Sequence, residues 1–416
     1  MADFKPEEKY KIQSVVDLFQ KYFPFKINGK SLETLIFQGG MAIDISVIDL
    51  AMACGKAGCA GTIAATGTRY RKKIKELDLS NLDFIVGINN LVKGSDYEKN
   101  YGLGRDIGAD YIASGAGMSK EVLKRIKGQA KYLNDSYHYW TIPIVSSVDQ
   151  LQGHIKRNGT YIVLETMDAG GHNGHGVGFE STLEQYTHAE IDKKGMKIIF
   201  GGGIRTPVDF VRALDAGFDA VQIGTSFLLA EEANTDDFFK DLIINAKPGD
   251  VGNVASPAGF AGKGFRNEGV MKRCLKGIDS PKKDCIDSLK YGCITNCRHI
   301  LDSAKLAGID NPGDYCLGRA LYQAQSIAKN EYESGALYFC GARPENLFII
   351  DSLKAEGRKS YPARIIIGKF LEGVFDSVLD QYGLKDKHRN FLEQRFENYL
   401  RNKPEKLSGK IFRDYS

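Results

Sequence analysis

The 416-residue chain has no strong excess of charge of either sign: 56 Lys and Arg stand against 52 Asp and Glu, for a formal charge of +4. So small and dispersed a surplus gives no electrostatic footprint for nucleic acid, although small anionic substrates stay open. There is no run near 18 uninterrupted apolar residues, and Met1 to Tyr10 is polar and charged with no apolar signal core. Neither a membrane span nor a secretory leader is therefore expected, and the expected location is cytoplasmic. Without a secretory signal, the eight cysteines argue for reduced thiols or metal ligands rather than a disulfide framework. No pair of them has the two-residue gap of common zinc or iron–sulfur sites. No G-x-G-x-x-G fingerprint follows an early strand with an acidic partner, which argues against a dinucleotide fold.

What is present is a repeated unit. Short β-branched or apolar runs, each leading into a Gly-rich turn and a helical stretch, recur at Leu35 to Gln38, Cys59 to Ile63, Asp83 to Ile88, Asp110 to Ser114, Ile142 to Ser146, Tyr161 to Glu165, Lys197 to Gly201 and Ala220 to Gly224. Segments such as Ser46 to Lys56 and Pro207 to Ala216 have helical periodicity between them, so the unit is βα and the sheet parallel. Eight runs, rather than the five or six of an open doubly wound sheet, predict an α/β fold of the (β/α)8 TIM barrel type. The expected organisation is an N-terminal extension over 1–30, the barrel over 31–235, a Gly-rich loop and Cys-rich helical segment over 236–345, and a helical C-terminal tail over 346–416. Six of the eight cysteines, Cys274, Cys285, Cys293, Cys297, Cys316 and Cys340, fall in the third segment. They read as buried thiols, with a metal site as the alternative. In the tail, Ile367, Phe370, Leu371, Val374 and Phe375 recur at helical spacing, as expected of helices packed on the barrel or on a second subunit of a homodimer.

Two adjacent turns carry anion chemistry. Gly201-Gly202-Gly203-Ile204-Arg205-Thr206-Pro207 closes the seventh run and opens a helix, and Gln222-Ile223-Gly224-Thr225-Ser226 does the same one run later. Glycines let backbone N–H groups approach an anion, and donor-rich loops after strands seven and eight are the usual phosphate site of such a barrel. At the first run, Gln38-Gly39-Gly40-Met41 can admit a flat ligand close to the backbone. The loop Glu165-Thr166-Met167-Asp168-Ala169-Gly170-Gly171-His172-Asn173-Gly174-His175-Gly176 offers two imidazoles able to act as base, acid or donor near neutral pH. Either is a candidate for catalysis or substrate contact, with His172 put first by the family resemblance that follows. Arg266 is a candidate anion contact, weighed against an ordinary solvated arginine.

Taken in order, Ile36 to Met41, Gly87-Ile88-Asn89, Ser114-Gly115-Ala116-Gly117, Pro143 to Ser147, Ala169 to Gly174, Gly202-Gly203-Ile204 and Gln222 to Thr225 resemble the nitronate monooxygenase superfamily, formerly the 2-nitropropane dioxygenases. That superfamily includes the FMN-dependent enoyl-acyl-carrier-protein reductases. The resemblance runs from about Ser31 to Asn267. It implies non-covalent FMN at the barrel mouth, with the phosphate on Gly202, Gly203, Gly224 and Thr225 and the ring near Gln38, Gly39, Gly40, Met41 and Asn89. Gly171 and Gln222 complete the implied cofactor set, and His172 falls beside the flavin. Thr166 departs from the family, which usually has glycine there, and Gly201-Gly202-Gly203 replaces the common Ala-Gly-Gly; both bear on substrate choice. The implied activity is oxidation of alkyl nitronates with O2. The alternative is NAD(P)H-dependent reduction of an enoyl thioester or a quinone, since Phe37 to Ala42 resembles the enoyl reductases closely. A third reading is a flavin-binding module without turnover. The expected partner is a small-molecule substrate, with no nucleic acid and no membrane.

Overall fold

The computed structural model describes residues 4–41, 43–65, 70–92, 97–115, 120–127, 129–133, 137–173, 176–254, 256, 262–266, 320–321 and 337–380. The expectations placed on Ala42, Ala116, Gly117, Gly174, His175, residues 257–261, Asn267, Cys274, Cys285, Cys293, Cys297, Cys316 and the tail beyond 380 lie outside the described residues.

Eight parallel strands form the centre: β1 (Ile36–Gln38), β2 (Gly61–Ala64), β3 (Val86–Leu91), β4 (Tyr111–Gly115), β5 (Trp140–Val145), β6 (Tyr161–Glu165), β7 (Lys197–Gly201) and β8 (Ala220–Ile223). Each pairs in parallel with the next, and β8 returns to β1 with Gln222 opposite Phe37. A parallel bridge between Phe37 and Ala60 closes the ring, with the Gln38 N–H donating to the Ala60 carbonyl and the Ala60 N–H to that of Ile36, each at 2.9 Å. The sheet is a closed TIM barrel, as the count of eight predicts.

The expected strands recur in the expected order, with β3 displaced by three residues. It begins at Val86 because Gly61 pairs with Val86, while Phe84, two residues earlier, packs against Gly55 on the helix Ile48–Lys56. Close packing needs glycine at two points. A Cβ on Gly61 would lie 2.0 Å from the Ala51 carbonyl oxygen of that helix, and one on Gly87 would lie 2.4 Å from the Tyr111 ring inside the barrel. The helix Pro207–Asp215 starts sharply because Thr206 and Asp209 form a reciprocal capping box and Pro207 occupies the first turn.

The N-terminal extension closes the bottom of the barrel. Asn28 and Gly29, both at positive φ, turn a hairpin between Lys26–Ile27 and Lys30–Ser31. Asn28 Oδ1 accepts from Trp140 Nε1 at 2.9 Å, and its amide donates to Asp110 Oδ1 at 3.0 Å. The preceding Phe25 ring lies 5.5 Å from Phe37 and 5.8 Å from Tyr161.

The described part of the tail packs on its own chain. The helix Ala363–Asp380 lies against Pro6–Tyr22 and Pro207–Asp215, and Ile367, Phe370, Leu371, Val374 and Phe375 are all buried. Phe370 sits 5.7 Å from Phe210 and 5.0 Å from Phe348, ring to ring. Among the described residues no helix is long and apolar enough to cross a membrane.

Above the barrel mouth lies a small antiparallel sheet. Val251–Val254 pairs with Gly262–Phe265, and the latter pairs with Gly171–His172 from the loop after β6. Phe339 bridges to Gly264, so chain from beyond the barrel forms part of the roof over its C-terminal end.

Candidate functional site

The barrel's C-terminal mouth opens into a cavity bounded by the βα loops and this roof. Gly39, Gly40, Met41, Asn89, Gly171, His172, Gly202, Gly203, Gln222, Gly224 and Thr225 all line it. Residues from the ends of five strands, chosen from sequence for cofactor contact or catalysis, thus converge on one space.

Gln38 does not line that cavity. Its side chain is 1% exposed and turned into a network that shapes the loop above it. Oε1 accepts from the Thr62 N–H at 2.8 Å, and Nε2 donates to Ser46 Oγ at 2.8 Å and to the Gly39 carbonyl. Ser46 Oγ in turn accepts from the Met41 N–H at 2.9 Å. Gln38 therefore positions Gly39-Gly40-Met41. Asn89 does both jobs: it borders the cavity, and Nδ2 donates to the Gly40 carbonyl at 2.9 Å. The contact is so close that a Cβ on Gly40 would lie 2.1 Å from that of Asn89.

The two anion turns differ in their packing. Gly202 and Gly203 have φ of +86° and +83°, and a Cβ on Gly203 would meet Phe179 at 2.9 Å. An added Cβ on Gly224 would meet nothing within 4 Å, so this cavity-lining residue leaves open room beside it. Thr225 Oγ1 already accepts from the Gly341 N–H at 3.0 Å and hydrogen-bonds the Cys340 thiol, tying the roof to the β8 turn. Ser226 is 2% exposed and does not contribute its hydroxyl to the cavity surface.

The loop after β6 packs against the neighbouring β7 turn and is held by its own residues and by β7. Thr166 N–H donates to the Gly201 carbonyl at 2.9 Å and Thr166 Oγ1 accepts from the Asp168 N–H at 3.1 Å. Asp168 Oδ2 accepts from the Phe179 N–H at 3.1 Å, capping the next helix, and Asn173 Nδ2 donates to the Met167 carbonyl at 2.9 Å. His172 is left facing the cavity. Its Nε2 shares a 2.5 Å hydrogen bond with Ser256 Oγ, and Phe339 meets the ring edge-on at 4.9 Å. Nδ1 takes no hydrogen bond from a described residue. The surrounding protein strips hydration from the charged form and lowers the imidazole to about 4, so it is neutral at pH 7.

Sequence reasoning passed over Glu165, at the carboxyl end of β6. It lines the cavity, and desolvation pushes its carboxyl up to about 8. A neutral imidazole and a protonated carboxyl thus share one space, an arrangement typical of sites that move protons. Its place at the end of a barrel strand was the available signal. Phe339 and Cys340 also border the cavity; the sequence marked Cys340 only as one of the buried thiols, and no local pattern marked Phe339. Cys340, Cys54 and Cys59 are buried free thiols, and burial raises all three. Among the described residues no His, Cys, Asp or Glu cluster could hold a metal ion. Arg266 lies on the exposed surface and is not part of the cavity wall.

Comparison with known proteins points the same way as the geometry. The family model described as nitronate monooxygenase matches residues 127–328. A probable nitronate monooxygenase of Staphylococcus aureus (strain Newman) is 27% identical over 172 residues, covering 39% of this chain and 45% of the relative. That of strain JH9 is 28% identical over 149 residues, covering 34% and 41%. The chain spans about half the length of the curated relatives it matches. Among solved structures, FabK from Thermotoga maritima superposes with a TM-score of 0.59 at 19% identity, covering 89% of this chain and 98% of its own. Nitroalkane oxidase from Streptomyces ansochromogenes does so with 0.57 at 16%, covering 86% and 98%. At such identities the superpositions speak for the fold alone. The family match takes in the second half of the barrel, with the histidine loop and both glycine turns, so the likeness to the nitronate monooxygenase family falls on residues that line the cavity.

Proposed function

We propose that the protein is an FMN-dependent oxidoreductase that oxidises alkyl nitronates with O2. The observation that carries this reading is the neutral, cavity-facing imidazole of His172, which shares one cavity with the open room at Gly224. The residues fit a mononucleotide flavin. Gly202, Gly203, Gly224 and the N-terminus of the helix Pro207–Asp215 offer backbone N–H groups and a positive dipole end to a phosphate. Thr225 is a further candidate contact there. Gly39, Gly40, Met41 and Asn89 supply a close backbone wall and a soft apolar surface for the ring, with Gln222 on the adjoining strand β8 and Gly171 also lining the cavity. The bound flavin supplies the redox chemistry and the reaction with O2.

The chain's own contribution is placement and protons. Ser256 and Phe339 fix the His172 ring, leaving Nδ1 for a nitronate oxygen as donor, or for the α-carbon proton of the parent nitroalkane as base. The two roles require opposite tautomers of the neutral ring, which the Ser256 hydroxyl accommodates by rotating its proton. Glu165, protonated at pH 7, is a second donor in the same cavity.

Anaerobic stopped-flow mixing of the flavin-loaded protein tests the reading. Rapid bleaching of the flavin by an alkyl nitronate, without NADH or NADPH, is the expected result. Rapid bleaching by NADH or NADPH with none by nitronate would favour the reductase of enoyl thioesters or quinones instead. Flavin binding without bleaching by any donor would favour a module without turnover.

A further inference from the structure

The turn leaving β7 carries a guanidinium that is ion-paired with Asp209 but keeps a buried donor without an acceptor among the described residues. Arg205 follows Gly202-Gly203-Ile204, lines the cavity and is 8% exposed. Its Nε lies 3.6 Å from Asp209 Oδ2, beyond hydrogen-bond length. That oxygen already accepts from the Arg205 N–H, the Thr206 N–H and the Thr206 hydroxyl, each at 3.0 Å. Nη1 is buried and finds no acceptor among the described residues. The Phe179 ring, 6.0 Å from Cζ, offers a cation–π contact but no lone pair. A guanidinium stays charged at any physiological pH, and a buried charged donor without an acceptor is a standing energetic cost.

Its neighbours indicate what kind of anion fits. Arg205 immediately precedes Thr206, the N-cap of the nine-residue helix Pro207–Asp215. It adjoins a glycine turn at positive φ and shares the cavity with Gly224 and its open room. Backbone N–H groups, a helix dipole and a guanidinium together suit a phosphate, which has enough oxygens to accept from all three.

We propose that Arg205 is a phosphate-recognition residue of this cavity, binding the phosphomonoester of the mononucleotide flavin and so distinguishing FMN from riboflavin. The inference rests on the flavin reading above and extends it from the backbone of the first glycine turn to a side chain that the turn carries. Asp209 keeps its capping role, and the phosphate takes the unfilled guanidinium donor.

The test is a fluorescence-quenching titration of the flavin-free protein with FMN and with riboflavin, for wild type, Arg205→Met and Arg205→Lys. Wild type should prefer FMN. Arg205→Met, which keeps the aliphatic stem, should lower FMN affinity roughly 10- to 100-fold and leave riboflavin affinity unchanged. Arg205→Lys should retain part of the preference. Should Arg205→Met fail to fold, Arg205→Gln, with a polar head beside Asp209, serves in its place. A neutral variant with the wild-type ratio of the two affinities overturns the proposal, as does one that loses both ligands equally, which would mark a structural role. Equal binding of FMN and riboflavin by wild type overturns the phosphate role alone, whereas binding of neither overturns the flavin reading with it.

Discussion

His172 Nε2 lies 2.5 Å from Ser256 Oγ, so a residue beyond the barrel fixes the ring of the candidate catalytic histidine in the loop after β6. If the ring moves protons or orients substrate, two substitutions should separate by size. His172→Asn should lower turnover on the order of 10²-fold or more. Ser256→Ala, which frees the ring but keeps it, should lower turnover by about tenfold. Flavin occupancy, read from the ratio of flavin to protein absorbance, should stay near wild type in both. Full activity in His172→Asn would make the histidine a bystander.

The two shifted groups give opposite pH signatures in the flavin-free protein. Glu165 titrates at about 8 when folded against 4.5 ordinarily, so its contribution to stability is present below 4.5 and lost as pH rises through 8. His172 titrates at about 4 against 6.5, so its contribution is present above 6.5 and lost as pH falls through 4. Relative to wild type, Glu165→Gln should therefore gain stability between pH 5 and 8, and His172→Asn between pH 6.5 and 4. Urea melts at a series of pH values would show it; parallel profiles for Glu165→Gln and wild type would mean that the carboxyl is already ionised.

The glycine turns predict two different failures. Gly224→Val projects into open room at the cavity, so it should weaken flavin binding by tenfold or more, as an order-of-magnitude estimate for overpacking, while leaving the melting temperature near wild type. Gly203→Ala meets Phe179 and an unfavourable φ of +83°, so it should lower stability by about 1–3 kcal/mol as well as weakening binding. Crowding of the phosphate, the simplest expectation for a larger residue at Gly203, is thus secondary to strain against Phe179. A Gly224→Val protein with unchanged flavin affinity would remove the β8 turn from the site.

Much of this was legible because it is local. Eight apolar runs with a turn after each give the barrel, since strand periodicity and glycine act over a few residues. His172 and the turns at Gly202-Gly203 and Gly224 stand out because rare residue types cluster there. The displaced start of β3 was not legible, because the Gly61–Val86 pairing that sets it is made between separate runs. Nor were the roles of Gln38 and Ser256, which depend on what a folded neighbour presents. Asn28-Gly29 is a strong hairpin signal in itself, but its strands are only two residues long, too short for alternation to show. Phe339 closes over His172 from a distant part of the chain, and no pattern in either segment announces the other.

The tail is a structural prediction in its own right. Phe370 is 2% exposed between Phe210 and Phe348, so Phe370→Ala should cost about 3–5 kcal/mol. Chemical denaturation measures this directly. A loss below about 1 kcal/mol would mean that the helix Ala363–Asp380 does not pack on the barrel as described.

The central claim is that this cavity holds a mononucleotide flavin. The most direct measurement is the absorption spectrum of the purified native protein, followed by chromatography of whatever denaturation releases. A flavin spectrum with FMN as the released species is the predicted result. Release of FAD, or no flavin bound even after incubation with excess FMN, would contradict the account.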